Sequence, residues 1–434
     1  MLLSMERYSK PFVFSAERSV MLREKISKAT KAIKDFVARR SALEYFLFLM
    51  ASSLVVYIVF YIIRGEGRYA NVFFLSCNDL FMDFFNSVRD AAQGPAVYTV
   101  RHVIYPPMAN LLYLVCSRFI PSAYADSSFK NRYTWTEYPQ ATFFIMLFSL
   151  IVILAIFIIV YETVKGGRRH RFLFAFFSVI NIPILYMVER GNMMLLCFLS
   201  LLIYFVTYNS KNKVYREIGI IALAFCFSLK LYPVIFGWLL LVDKRFFDGI
   251  RCFIYGMLML FIPSFWFGGP ACFYQIYKNI TAFSTGHTNA ITVISGYSGI
   301  PSSLLSILVY LWFFICIGAF IAAPFIYKEK WKVWMIGVIA LMIIPSLTSV
   351  YMWSFFLIPI IMLTSATKLR GKTMFYFLIM ATMFVFTLGR MNNYLTFNSF
   401  AIYPMMAILS IVGVTDTIIT ATRKIKAVKQ IKNA

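Results

Sequence analysis

The chain has 434 residues, of which 61% are hydrophobic and only 14% charged, and it carries a formal net charge of +24. A soluble protein of this length cannot keep so apolar a chain in water, so composition predicts an all-α polytopic membrane protein. The basic residues fall in short clusters between apolar runs, the pattern of orientation signals beside anionic lipid, which argues against a nucleic-acid partner.

Residues 1–41 hold ten Lys/Arg against four Asp/Glu and show no cleavable signal peptide, so this segment is expected on the cytoplasmic side. Within it Leu22, Ile26, Ala29, Ile33 and Val37 recur at helical spacing, which predicts an amphipathic helix anchored on the inner membrane surface. The membrane domain is placed at 42–420, with a first outer loop at 65–138, a long outer loop at 269–302, and a basic cytoplasmic tail at 421–434. Apolar runs of spanning length begin near Leu43, Ala141, Phe172, Met193, Ile250, Leu304, Val333, Met352, Thr373 and Ala401. Two further segments are ambiguous, "YPPMANLLYLVCSRFIP" (105–121) and the apolar run Ile218–Val242. Together they give a bundle of about 12 transmembrane helices.

The basic clusters "KGGRRHR" (165–171), "KNKVYR" (211–216), "DKRFFDGIR" (243–251), "KEKWK" (328–332), "TKLRGK" (367–372) and "RKIKAVKQIK" (423–432) all reach the cytoplasmic side on two conditions. The segment after Tyr105 must return to the side it came from, and the run Ile218–Val242 must be a hairpin rather than a single crossing. Lys230 is the only charge in that run and sits at its middle. Charge at such depth is costly and marks a functional site by default. In a hairpin, the turn "SLKLYP" lies inside the membrane's depth, faces outward and places Lys230 in a cavity open to the outside, where it needs an anionic partner.

The outer side then also receives "ERGN" (189–192), "SVYMWS" (349–354), "GRMNNYLTFNSF" (389–400) and the helix-forming stretch "NDLFMDFFNSVRDAAQG" of the first outer loop. At 100° per residue Asp79, Asp83, Asn86 and Asp90 share one face of that stretch, and Leu80, Phe81, Phe84, Phe85 and Val88 the other. The pattern predicts an interfacial helix with a carboxylate stripe toward a cavity, and a carboxylate held there can take a proton from an attacking hydroxyl. Asp79 and Asp83 are spaced to share a cation, but the sequence supplies none of the usual further ligands, so no metal is assigned. Arg190 and Lys230 on one side of the membrane make a phosphate site, a fork beside a point charge. Asn192, Tyr105, Tyr232, Tyr351, Trp353, His102 and His287 are further candidates for contacts to substrate. The seven cysteines show no metal-ligand spacing. Of these, Cys77 and Cys272 fall in segments placed outside, where a disulfide between them is open.

The ordered set "DLFMDFFNSVRDAAQGPAVY…VIYPP", "ERGN" and "SLKLYP" resembles the polyprenol-phosphate-dependent membrane glycosyltransferases of the GT-C fold, and most nearly glycosyltransferase family 87, the mannosyltransferase-like group. The likeness covers about residues 40–245. It implies a GT-C-like helical bundle whose outer-face loops form the active site, in a bacterial inner membrane, with no cofactor. It also implies a catalytic aspartate in the first outer loop, for which Asp83 and Asp79 are the two matching positions. Typical members follow this aspartate with paired tyrosines, and here Phe84 and Phe85 stand in those places. The expected reaction transfers a hexose, with inversion, from a polyprenyl-phosphate-sugar donor to a lipid-linked or envelope glycan acceptor. Asp83 or Asp79 acts as base, and Lys230 and Arg190 hold the donor phosphate. The alternative is a flippase or transporter for a lipid-linked oligosaccharide, which calls for charges spread over several spans. A membrane acyltransferase is a third reading, but His102, His170 and His287 form no cluster of the kind it needs.

Overall fold

The computed structural model describes residues 27–28, 40–64, 80–119, 134–286, 299–343, 350–365, 369, 371–386 and 397–433. Among them 84% are helical and none is in a strand. Cys77, Asp79, His287 and the amphipathic stretch from Leu22 to Val37, apart from residues 27–28, lie outside the described residues. Cys272 is a buried thiol.

The first long helix, α1 (Ala42–Arg64), starts in a capping box: the Ser41 amide donates to Glu44 Oε2 at 2.8 Å, and the Glu44 amide donates to Ser41 Oγ at 3.3 Å. Two short helices follow, α2 (Met82–Ala92) and α3 (Pro107–Cys116). The chain then runs through α4 (Pro139–Thr163), α5 (Arg168–Val179), α6 (Ile182–Arg190), α7 (Met194–Thr207) and α8 (Lys213–Leu229). Beyond these come α9 (Phe246–Ser264), α10 (Ala271–Gly286), α11 (Ser302–Ile326) and α12 (Lys330–Met342), then α13 (Leu357–Thr364), α14 (Lys372–Thr382) and α15 (Phe397–Asn433).

Five of these helices, α1, α4, α9, α11 and α15, are long and apolar enough to cross a membrane, and α5 with α6 makes a sixth if the 45° bend between them lies within one span. Their side chains include Phe143, Phe253 and Phe314, each more than 60% exposed, as a lipid-facing surface requires. The described residues therefore form a multi-pass helical membrane protein, with five or six such helices among them where about twelve were expected for the chain. The difference lies in the two ambiguous segments and in the runs near Met193, Val333, Met352 and Thr373, whose described helices have 14, 13, 8 and 11 residues, the third preceded by a 3-10 stretch at Val350–Phe356. At 1.5 Å per residue even 14 residues cover only about 21 Å, short of a ~30 Å hydrocarbon core.

The Lys230 segment is a hairpin, although an unequal one. The outgoing limb is the 17-residue α8, and the return is a six-residue 3-10 stretch, Tyr232–Gly237, followed by a single helical turn, Trp238–Val242. Pro233 lies in the first turn of the return, where its missing N–H is harmless. Contacts with α7 show that the two limbs begin and end at the same level: Cys226 near the top of α8 meets Cys197, whereas Tyr208, just past α7, donates to Asp243 Oδ2 at 2.8 Å. Tyrosines of this wall also serve the carbonyls that the broken backbone leaves open. Tyr204 donates to Phe236 O at 3.3 Å and Tyr208 to Leu239 O at 2.8 Å. The ten-residue α3 is equally unable to cross, and the turn after it ends with Phe119 stacked on Phe144 near the start of α4. The run Ile218–Val242 thus turns back on itself along α7, and α3 stops short of a crossing.

Helix α8 packs closely against α7 and α9 because small residues stand at the contacts. A Cβ at Gly219 would lie 2.1 Å from Thr207 Oγ1, and one at Gly256 would lie 1.7 Å from the Phe227 ring. Gly256→Ala is expected to lower the melting temperature by several degrees, as overpacking costs about 1–3 kcal/mol. Gly318→Ala, at a helical site with no neighbour within 4 Å, should leave it unchanged. Equal melting of the two variants in detergent would show that α8 and α9 are not so tightly apposed.

Candidate active site

The site is assembled where α6 ends. Gly191 adopts the left-handed conformation (φ 61°), its amide donates to Val188 O, and the Asn192 amide donates to Met187 O, both at 3.0 Å. This is a Schellman turn, and it accounts for the glycine of "ERGN". The turn sends the side chains on either side of Gly191 to one target. Arg190 donates to Asp83 Oδ1 through Nε at 3.1 Å and Nη2 at 2.5 Å, and Asn192 Nδ2 donates to Asp83 Oδ2 at 2.7 Å. Oδ1 thus accepts two hydrogen bonds and Oδ2 one, so that Oδ2, with two lone pairs, keeps room for another donor.

Asp83 sits in the first turn of α2, where a carboxylate also suits the helix dipole. The residue before the helix, Phe81, is left-handed (φ 57°), and its amide donates to Glu189 O at 2.6 Å, which docks α2 on the end of α6. The opposite face of α2 is buried through Phe81, Phe84, Phe85 and Val88, all at most 5% exposed. The helical reading of "NDLFMDFFNSVRDAAQG" therefore holds across α2, and its aromatic face turns toward protein. Asp90, further along the polar face, is tied to Arg89 at 3.0 Å and lies 3.7 Å from Arg101.

Tyr105 connects this carboxylate to Lys230. Asn192 Nδ2 lies 3.4 Å from Tyr105 Oη, and Lys230 Nζ stands 4.0 Å above the centre of the Tyr105 ring. The two prolines of "YPP" set this placement. The first, Pro106, is extended at the N-cap, and Pro107 starts α3. The Tyr105 carbonyl is fixed from behind by Tyr98 Oη at 3.0 Å and Asn110 Nδ2 at 3.3 Å. Lys230 half-emerges at the C-cap of α8 and has neither an ion-pair nor a hydrogen-bond partner among the described residues.

Other expected residues are distributed unequally. Tyr351 stacks on Tyr186, centroids 5.9 Å apart, one turn before Arg190, and Tyr232 donates to Met194 Sδ at 2.9 Å. Both therefore line the neighbourhood of Asp83 and Lys230. His102 is exposed on a left-handed turn (φ 53°) and makes no hydrogen bond to this group of residues. Trp353 is buried in the core rather than presented for stacking. Sequence reasoning missed Tyr186 and Tyr113. Tyr113 Oη accepts from the Met193 amide at 3.3 Å and so braces the residue that follows Asn192. The i, i+4 spacing of Tyr186 and Arg190 was the available signal for the first, and no local signal marked the second.

Fold and site together define a multi-pass helical membrane protein with a carboxylate, two cations and several tyrosines gathered at one end of its helices. The sequence model of glycosyltransferase family 87 matches residues 104–348, more than half of the chain, and the protein belongs to that family. It is a membrane glycosyltransferase. The matched span holds Tyr105, Arg190, Asn192 and Lys230 and begins after Asp83. No curated protein and no solved structure matches the chain.

A Cβ at Gly191 would approach Phe84 Cβ to 2.7 Å, in a backbone conformation that already disfavours a side chain. Gly191→Ala is expected to lower the melting temperature and to cut transfer activity, because α2 can relieve the contact only by moving Asp83 away from Arg190. Unchanged melting and activity would show that the α2–α6 junction is loose.

Proposed function

We propose that the protein transfers a hexose from a polyprenyl-phosphate-sugar donor to a lipid-linked or envelope glycan acceptor on the outer face of a bacterial inner membrane, with inversion and without a cofactor. The observation that carries this reading is Lys230, a cation at the turn of a hairpin that rests on an aromatic ring rather than on a carboxylate. A donor phosphate supplies the missing anion, and the hairpin gives a lipid-borne donor access at membrane depth.

In this reaction the acceptor hydroxyl oxygen attacks the anomeric carbon from the side opposite the phosphate. The bond from that carbon to the phosphate oxygen breaks, and polyprenyl phosphate leaves with both bonding electrons. Lys230 stabilises the charge that grows on the leaving oxygen. Asp83 takes the hydroxyl proton. Arg190, expected from sequence to bind the phosphate, is engaged with Asp83, so its role here is to hold and aim the carboxylate together with Asn192. Tyr105, Tyr232 and Tyr351 offer hydroxyls and ring faces to the sugar.

The test uses purified protein in lipid with a labelled polyprenyl-phosphate hexose and a membrane glycolipid extract as acceptor. Asp83→Asn should lower transfer by about 10²–10⁴-fold, compared at equal amounts of folded protein because loss of the Arg190 pair also lowers the melting temperature. Lys230→Met should lower kcat by roughly 10²-fold. Full activity of Asp83→Asn would remove it as the base. Donor binding without transfer across several sugars and acceptors would instead favour a carrier of lipid-linked sugars.

A further inference from the structure

At the opposite end of the bundle, where α4 ends and α5 begins, lies a groove of about 610 Å³ lined by Phe157, Tyr161, Arg168, Arg169, Phe172 and Leu173. Its floor is aromatic. The Phe157 and Tyr161 rings lie parallel, 6.3 Å apart, and Phe172 meets Phe157 edge-on at 5.5 Å. Phe172 and Leu173 are 51% and 43% exposed although they belong to a helix read as part of a membrane span. The apolar part of the groove therefore opens toward the hydrocarbon.

The polar rim differs residue by residue. Arg171 is already engaged. It donates to Tyr161 O at 2.8 Å and to Glu162 at 3.0 Å, and its guanidinium covers the Tyr161 ring at 4.3 Å. Arg168 and Arg169 are exposed and have no acidic or carbonyl partner among the described residues. Two uncompensated guanidiniums thus stand at the water-side end of an apolar slot whose other end meets lipid. Guanidinium groups grip phosphate oxygens as a fork, and basic residues at a membrane surface draw anionic headgroups.

We propose that this groove is a binding site for an anionic glycerophospholipid of the leaflet on the basic side of the membrane. The headgroup phosphate meets Arg168 and Arg169, and an acyl chain lies along Phe157, Phe172 and Leu173. The site is separate from the Asp83–Lys230 cluster, which sits at the far end of α5 and α6, and the assignment does not depend on the reaction proposed above.

The full-length protein is purified in detergent with equal amounts of phosphatidylglycerol and phosphatidylcholine, and retained lipid is counted by native mass spectrometry. Wild type should retain phosphatidylglycerol in preference, and the preference should fall about fivefold for each arginine removed in R168Q and R168Q/R169Q. Lys211→Gln/Lys213→Gln, which removes two exposed charges from the neighbouring basic loop, should keep it. Both arginines are exposed, so their replacement removes no core contact. As a second measure, phosphatidylglycerol should raise the melting temperature of wild type more than that of R168Q/R169Q. Equal retention by wild type and R168Q/R169Q would overturn the proposal, as would equal loss in the Lys211/Lys213 variant. Displacement of the lipid by inorganic phosphate, or by polyprenyl phosphate at equal concentration, would assign the groove to another phosphate and overturn it too.

Discussion

The clamp of Arg190 and Asn192 on Asp83 is the contact on which the geometry of the site depends. It joins residues more than 100 positions apart and fastens the short α2 to the end of α6. Both charges are mostly shielded, the Asp83 side chain 22% and the Arg190 side chain 17% exposed. Removing one partner would leave the other poorly solvated, a far larger penalty than the pair's net contribution. The burial of Phe84, Phe85 and Val88 on the other face of α2 acts in the same sense. The carboxylate is therefore positioned by hydrophobic packing from one side and by charge from the other.

Lys230 is held in a different way. A cation over a ring is stabilised by only about 0.5–2 kcal/mol, depending on how dry the site is. A buried ion pair is much harder to separate. A phosphate approaching Lys230 thus has no salt bridge to break, whereas one approaching Arg190 must compete with Asp83. Of the two cations gathered here, the structure leaves the lysine as the more available. That difference reverses the roles that residue types alone suggest, since arginine is usually the better phosphate ligand.

Much of this was legible in the sequence, for identifiable reasons. The 100° periodicity of "NDLFMDFFNSVRDAAQG" separates polar from apolar faces without reference to any partner, and α2 buries the predicted side. The charge of Lys230 in an apolar run, and the Arg-Gly-Asn turn after a helix, are local signals that survive folding unchanged. The basic clusters required a returning hairpin because orientation follows positive charge. Its unequal limbs were not legible, as the choice between a 3-10 stretch and an α-helix over Tyr232–Gly237 depends on carbonyls being satisfied by Tyr204 and Tyr208 of another segment. That five or six helices among the described residues pass as spans, against about twelve apolar runs, has a related reason. Run length measures apolarity, whereas a break such as that at Asn181, whose side chain accepts from the Ile184 amide at 3.1 Å, is decided by a cap within the run. Tyr113 and Tyr98 escaped notice because a tyrosine that braces a backbone looks, in sequence, like one of an interfacial belt.

The candidate site joins the ends of rigid elements rather than flexible loops. Asp83 rises from the first turn of α2, Arg190 closes α6, and Lys230 caps α8. The α8 end is fixed by close approach to α7, with Cys197 and Cys226 sulfurs 3.4 Å apart. Tyr105, between the carboxylate and the ammonium, is held through its carbonyl by Tyr98 and Asn110. Groups that stabilise developing charge are most effective when they need not reorganise as it appears. Helix ends supply that rigidity, yet at membrane depth they also expose unpaired backbone groups. The prolines of "YPP" and "LYP", the glycine of "ERGN" and the tyrosines that cap open carbonyls let three helix ends meet without that cost. The same residues that make the broken helices tolerable are therefore those that bring a carboxylate and two cations together.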